Sequence, residues 1–76
     1  MGERQAAPAE IKVMVNEQVL QLPAESTVEQ LLEVLGLQRR GIAVEVNNAI
    51  VPHRELASRR LMAGDRVEVV ALVGGG

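Results

Sequence analysis

The stretch STVEQLLEVLG, residues 26–36, carries the clearest helical pattern in the chain, and it decides the fold class. Ser26 and Glu29 match a capping box, in which the serine hydroxyl binds the Glu29 amide while the Glu29 side chain returns to the Ser26 backbone. A helix is therefore predicted to begin there and to end at Gly36, which supplies a left-handed terminal residue. Four apolar residues at helical spacing predict one buried stripe: Val28, Leu31, Leu32 and Leu35.

The segments on both sides of this helix alternate apolar and polar residues, as strands do. Ile11, Val13 and Val15 fall on one side of an extended chain, and β-type residues resume after a turn at residues 16–18, which predicts a hairpin. Strands are predicted over residues 11–15, 19–22, 42–46, 49–51 and 66–73. The sequence thus predicts an α+β fold, with a mixed sheet of four to five strands covered by one main helix.

The length and composition fit one small domain. The chain has 76 residues, of which 47% are hydrophobic and 24% charged. Residues 1–10 show no period in their apolar residues and are predicted to form a disordered lead-in. The folded domain is then predicted over residues 11–73, with residues 74–76 as a flexible glycine tail.

The same composition excludes several classes of function. Without cysteine the chain has no disulfide, no thiolate metal site and no thiol nucleophile. Without aromatic residues, and with a net charge of −2, it lacks the stacking platforms and basic surface of nucleic-acid-binding proteins. No stretch approaches the roughly 20 apolar residues of a membrane span, and the N-terminus does not resemble a signal peptide, so a cytoplasmic protein is expected.

Four residues supply the side chains of a hydrolytic triad, namely Ser26, Ser58, His53 and Asp65. They fall at a predicted helix cap and in predicted turns, whereas a triad is defined by geometry. His53 is the only histidine, so a metal site would need carboxylates alone beside it. We therefore predict neither catalytic residues, nor a metal site, nor a cofactor-binding site in this chain.

The glycine run at the C-terminus follows the last strand without a spacer. Residues 73–76 can extend about 13 Å at roughly 3.3 Å per residue, and chain without side chains can enter a narrow slot in another protein. The free carboxylate of Gly76 is the one distinctive chemical group. The sequence leaves two interpretations open, a carboxylate delivered into a partner's active site and a plain floppy terminus.

The last predicted strand becomes apolar on both faces just before this tail. If Val69 and Ala71 point to the core, Val70 and Leu72 point away from it, onto the open face of the sheet. An exposed aliphatic patch beside the tail would suit docking to a partner. The alternative is that both faces of this strand are covered.

From residue 11 to residue 76, the chain resembles the ThiS family of sulfur carriers of thiamine biosynthesis, which have a ubiquitin-like β-grasp fold. The resemblance lies in Val15-Asn16, the capped helix 26–36, the segment 43–52 with Asn47 and Val51-Pro52, and Gly64-Asp65 leading through residues 66–70 to the three glycines. Two departures from the family pattern are the lead-in of residues 1–10 and the third glycine.

The resemblance implies that this protein is a co-substrate and not an enzyme. A ThiF-like enzyme would adenylate the Gly76 carboxylate with ATP and magnesium, while Gly74 and Gly75 thread into its active site. Sulfur from a cysteine desulfurase would then give a thiocarboxylate, which thiazole synthase uses to build the thiazole. The chain itself would bind no cofactor and would be a monomer when free.

A β-grasp fold also implies that the first and last strands lie side by side and parallel. Met14 would then share the open face with Val70 and Leu72. The predicted docking patch for partners is Met14, Val70, Leu72 and Val73.

Three other functions remain open at this point. The small subunit of molybdopterin synthase shares the fold and the glycine tail, although the lack of aromatic residues and the segment 47–52 favour the thiamine family. A protein modifier would form an isopeptide bond through Gly76, and the single Lys12 leaves little room for lysine-linked self-chains. A plain binding module would not need Gly75 and Gly76.

Overall fold

The computed structural model describes residues 9–72, which form one five-stranded sheet and one α-helix. The strands are β1 (Glu10–Val15), β2 (Gln18–Pro23), β3 (Ile42–Val46), β4 (Ala49–Ile50) and β5 (Arg66–Ala71). The helix α1 spans Val28–Val34, and a short 3₁₀ turn spans His53–Glu55. Among the described residues, no helix is long and apolar enough to span a membrane.

The spatial order of the strands is β2-β1-β5-β3-β4. The central strands β1 and β5 are parallel, with Met14 opposite Arg66 and Val15 opposite Val67. The other neighbours are antiparallel. The predicted fold class and the parallel pairing of the first and last strands are confirmed.

The limits of the strands differ from the prediction at five ends. β1 begins at Glu10, inside the predicted lead-in, because the Glu10 backbone is paired with Pro23 and the Ala24 amide donates to the Ala9 carbonyl at 3.0 Å. β2 begins at Gln18, since two residues suffice for the turn before it, and it ends at Pro23, which is paired with Glu10. β4 ends at Ile50 and β5 ends at Ala71. The rest of the predicted lead-in, residues 1–8, lies outside the described residues.

The two hairpins turn on pairs of residues with positive φ. Asn16 and Glu17 join β1 to β2 with φ of 47° and 71°, and Asn47 and Asn48 join β3 to β4 with φ of 53° and 70°. A two-residue turn of type I′ requires positive φ at both positions, and asparagine tolerates it better than most side chains. The turn predicted at Asn47-Asn48 is confirmed.

The helix begins one residue later than the sequence suggested. Its N-cap is Thr27, whose hydroxyl accepts from the Gln30 amide at 3.2 Å while the Gln30 side chain accepts from the Thr27 amide at 2.9 Å. Ser26 is buried instead, and its hydroxyl donates to the Pro23 carbonyl at 2.6 Å. The capping box predicted from Ser26 and Glu29 is therefore wrong in register.

The end of the helix and its apolar stripe match the prediction. Gly36 has a φ of 74°, and the amides of Gly36 and Leu37 donate to Glu33 and Leu32, which is a Schellman motif. Leu35 packs against the edge of the core. The core between helix and sheet is wholly aliphatic, and its least exposed members are Val13, Leu22, Val28, Leu31, Leu32, Val44, Val46, Leu56, Leu61 and Val67.

Candidate functional site

The end of β5 is the point from which the glycine run departs. The last described backbone hydrogen bond along it joins the Leu72 amide to the Gly41 carbonyl at 2.7 Å. β5 is therefore held against β3 up to the residue before Val73. Val73, Gly74, Gly75 and Gly76 lie outside the described residues, so their predicted roles stay predictions.

The face of the sheet that the helix does not cover exposes aliphatic side chains. Val70 and Leu72 are 48% and 58% exposed, and Met14 is 37% exposed. Val67 is buried on the other side of β5, and Val69 packs against the edge of the core. The alternative that both sides of β5 are covered is therefore wrong for the described residues, while the docking role of this open face stays a prediction.

The parallel register separates the members of the predicted patch. Met14 lies opposite Arg66, four positions before Val70 on β5. At about 3.3 Å per residue, Met14 and Val70 are about 13 Å apart along the strands. The open face thus has one apolar area at Met14 and another at Val70 and Leu72.

Ile50 belongs to this face but was not singled out in the sequence. It is 69% exposed and lies opposite Glu45 across the β3–β4 hairpin. Val19, 62% exposed, lies opposite Met14 in the same way. The signal that could have identified both residues is the register set by a two-residue turn, because such a turn fixes which side chains stand opposite each other.

Asn16 holds β5 where β1 ends. Its side-chain oxygen accepts from the Val69 amide at 2.8 Å, and its side-chain nitrogen donates to the Val69 carbonyl at 3.3 Å. The backbone amide of Asn16 donates to the Val67 carbonyl at 2.9 Å. The Asn16 side chain thus extends the hydrogen bonding between β1 and β5 beyond the end of β1. It reaches Val69, which is three residues before Leu72.

A second asparagine holds the beginning of β5. The Asn47 side chain accepts from the Arg66 amide and donates to an Asp65 carboxylate oxygen, each at 3.0 Å. The other Asp65 oxygen accepts from the Met62 amide at 2.8 Å. Asp65 is 8% exposed, so its buried carboxylate connects the preceding turn to the turn between β3 and β4.

The four triad-type residues are not brought together. Ser26 and Ser58 donate to the carbonyls of Pro23 and Glu55. His53 Nε2 lies 2.9 Å from the Ile42 carbonyl, and Asp65 binds Asn47 and the Met62 amide. Within residues 9–72 these side chains are therefore used to close turns and to satisfy strand ends. No group of three histidine or acidic side chains suited to a metal occurs in that part of the chain.

Comparison with known proteins gives consistent results. A family model described as the ThiS family matches residues 5–76. The sulfur carrier protein ThiS of Escherichia coli (strain K12) is 32% identical over 66 residues, which cover 87% of this chain and 100% of that protein. A thiazole synthase of Paramagnetospirillum magneticum is 41% identical over 66 residues, 87% of this chain, but the chain spans only 20% of the length of that relative.

The fold has a solved counterpart. The crystal structure of the thiamine biosynthesis protein ThiS from Geobacter metallireducens superposes with a TM-score of 0.76 at 25% identity. The match covers 87% of this chain and 100% of that one. The mixed five-stranded sheet with one helix is thus an arrangement known from a solved ThiS structure.

Proposed function

The chain belongs to the ThiS family, and we propose that it carries sulfur for thiamine biosynthesis as a thiocarboxylate on Gly76. The observation that supports this most directly is that the family match runs to residue 76 and so includes the glycine run. In the described structure, β5 is paired with β3 up to Ala71, and the Leu72 amide donates to the carbonyl of Gly41, just before β3. The glycines therefore begin two residues after a fixed point of the fold.

The chemistry requires activation by a partner because a carboxylate is a poor electrophile. A carboxylate oxygen of Gly76 attacks the α-phosphorus of ATP, pyrophosphate leaves, and an acyl-adenylate forms. A sulfur nucleophile at the oxidation level of hydrosulfide then attacks the acyl carbon, and AMP leaves with the oxygen. The ATP and magnesium belong to a ThiF-like adenylating enzyme. The sulfur originates from the persulfide of a cysteine desulfurase, and two electrons from a thiol, which becomes a disulfide, bring it to the hydrosulfide level.

The absence of cysteine supports a terminal carrier. A sulfur atom bound to a protein side chain would need a cysteine persulfide, and this chain has no cysteine. The thiocarboxylate is the remaining means by which the chain can carry sulfur covalently. The carrier contributes the acyl group, and the partner enzymes contribute the catalytic groups.

The acceptor that we propose is thiazole synthase. In one relative, a segment similar to this chain makes up a fifth of a protein that bears this name. A carrier segment within such a protein is consistent with a carrier and a synthase that work together. We propose that both enzymes meet this chain as a monomer in the cytoplasm.

Intact-mass spectrometry after incubation with a ThiF-like enzyme, ATP and a sulfur source tests the proposal. Methionine oxidation adds nearly the same mass as the replacement of oxygen by sulfur, so a thiol-selective alkylation must accompany the measurement. We expect an alkylatable product from the full chain and none from a variant without Gly75 and Gly76 or from one extended by an alanine after Gly76. No product from the full chain with an active partner would refute the proposal, and stable adducts with other proteins would indicate a modifier.

A further inference from the structure

Two carboxylates stand directly opposite each other on the open face. Glu45 on β3 is the cross-strand partner of Glu68 on β5, between the pairs Ala43–Val70 and Val46–Val67. Side chains opposite each other in an antiparallel pair have Cβ atoms about 4.5 to 5.5 Å apart, and like charges at this position are destabilising. The fold therefore keeps a repulsive pair at the centre of its exposed face.

No cation of the described chain neutralises this pair. Within residues 9–72 the ion pair that forms is Arg39–Glu29 at 2.9 Å, which ties the helix to the loop after it. Arg66 lies two residues before Glu68 on the same face, yet it forms no ion pair with either carboxylate. A cation that neutralises Glu45 and Glu68 therefore has to come from outside the described residues.

The surroundings of the pair determine what that group can be. Ile50 stands beside Glu45 on β4, and Val70 follows Glu68 on β5, both strongly exposed. Glu45 is already half-buried. A partner that covered these apolar side chains with apolar groups alone would bury two unpaired carboxylates, and burial of unpaired charge is strongly unfavourable.

The charge on the open face also changes sign along the strands. Lys12 and Arg66 lie near Met14, with Glu10 beyond Lys12 at the start of β1, whereas Glu45 and Glu68 lie near Val70 and Ile50. A partner cation that meets Glu45 and Glu68 would lie near Lys12 and Arg66 if the partner were reversed, so like charges disfavour the reverse orientation. The orientation matters here since β5 leads towards the glycine run.

We propose that the open face binds a protein surface that presents an arginine or lysine to Glu45 and Glu68, between apolar side chains that cover Ile50 and Val70. This inference rests on the proposed function and names the chemistry by which an activating enzyme recognises its carrier. An arginine fits best, because its planar fork can donate to two carboxylates at once.

The test compares two double variants with equal change in charge. Glu45→Gln with Glu68→Gln removes the pair and keeps its shape, while Glu25→Gln with Glu33→Gln removes two exposed acids from the loop before the helix and from the helix itself. For each, carrier-dependent pyrophosphate exchange with a ThiF-like enzyme gives kcat and the KM for the carrier at several salt concentrations. Denaturation by urea gives the stability of each variant.

We expect the first variant to raise KM about tenfold at low salt, with kcat unchanged and with a weaker salt dependence than the wild type. Its midpoint in urea should be equal to or above that of the wild type, because the repulsion is gone. The control variant should keep the wild-type KM. Equal KM and salt dependence for the first variant and the wild type would overturn the inference alone, as would an equal rise in the control. A wild-type chain that supports no exchange would overturn the proposed function and, with it, this inference.

Discussion

The two faces of the sheet use the same kind of residue for different purposes. On the covered face Val13, Val44 and Val67 are at most 2% exposed. On the open face Val70 and Ile50 are 48% and 69% exposed, although they lie on the same set of strands. Aliphatic residues on the covered face stabilise the fold, whereas those on the open face keep much of their apolar surface exposed after folding and are available for a partner. Substitutions on the covered face should therefore lower stability, whereas substitutions on the open face should weaken partner binding.

The largest effect is expected on the covered face. Leu31→Ala removes a fully buried side chain of the helix and should lower the free energy of unfolding by about 2–5 kcal/mol, measured by urea denaturation. Val34→Ala, on the exposed side of the same helix, should change it by less than about 0.5 kcal/mol. A loss below about 1 kcal/mol for Leu31→Ala would show that the covered face is not the main source of stability.

A charge introduced on the open face should weaken partner binding and leave stability nearly unchanged. Leu72→Asp should raise the KM of a ThiF-like enzyme for the carrier about tenfold while the free energy of unfolding changes by less than about 1 kcal/mol. Val34→Asp adds the same charge on the helix and should leave KM unchanged. If Leu72→Asp is activated as well as the wild type, the open face does not dock this partner.

Asn16 offers a way to loosen β5 without touching either face. Asn16→Gly keeps a residue that accepts positive φ but deletes both side-chain hydrogen bonds to Val69, so the free energy of unfolding should fall by about 1–2 kcal/mol. Hydrogen exchange at the Val69 amide should become faster. Glu17→Gly, at the other residue of the turn, should leave that exchange unchanged. Unaltered protection of Val69 in Asn16→Gly would contradict the role assigned to the asparagine.

Loss of the helix cap should lower stability without changing partner binding, and this is the smallest of the expected effects. Thr27→Ala should cost about 1 kcal/mol of stability and leave KM for the partner unchanged. Glu29→Gln breaks only an exposed ion pair and should cost less than about 0.5 kcal/mol. If Glu29→Gln cost more stability than Thr27→Ala, the result would favour the predicted capping box, in which Ser26 pairs with Glu29.

The sequence predicted the features that depend on neighbouring residues and was wrong where a distant contact decides. The apolar stripe of the helix and the turn at Asn47-Asn48 follow from neighbouring residues, and both were predicted. The cap was wrong by one residue because Ser26-Glu29 and Thr27-Gln30 both fit a capping box. The choice between them depends on a distant contact, in which the Leu61 amide donates to the Ser26 carbonyl at 2.8 Å.

In the candidate site, too, the sequence predicted only what local patterns and the family resemblance specify. The exposure of Val70 and Leu72 followed from alternation along one strand, and the parallel neighbour of β5 followed from the family resemblance. The meeting of Glu45 with Glu68, and that of Asn16 with Val69, depend on register between strands that are distant in sequence. No local pattern specifies that register, so both were missed.

The parallel pairing of Met14 with Arg66 joins residues 52 positions apart in the chain. Contacts between such distant residues are among the slowest to form in folding, because a long loop must close first. The open face, which contains residues from β1, β5 and both hairpins, therefore exists only after the ends of the domain have met. An unfolded chain would still contain the three glycines but would lack the face that a partner recognises. Recognition through this face would thus act as quality control, since it would reserve ATP for carriers that have completed folding.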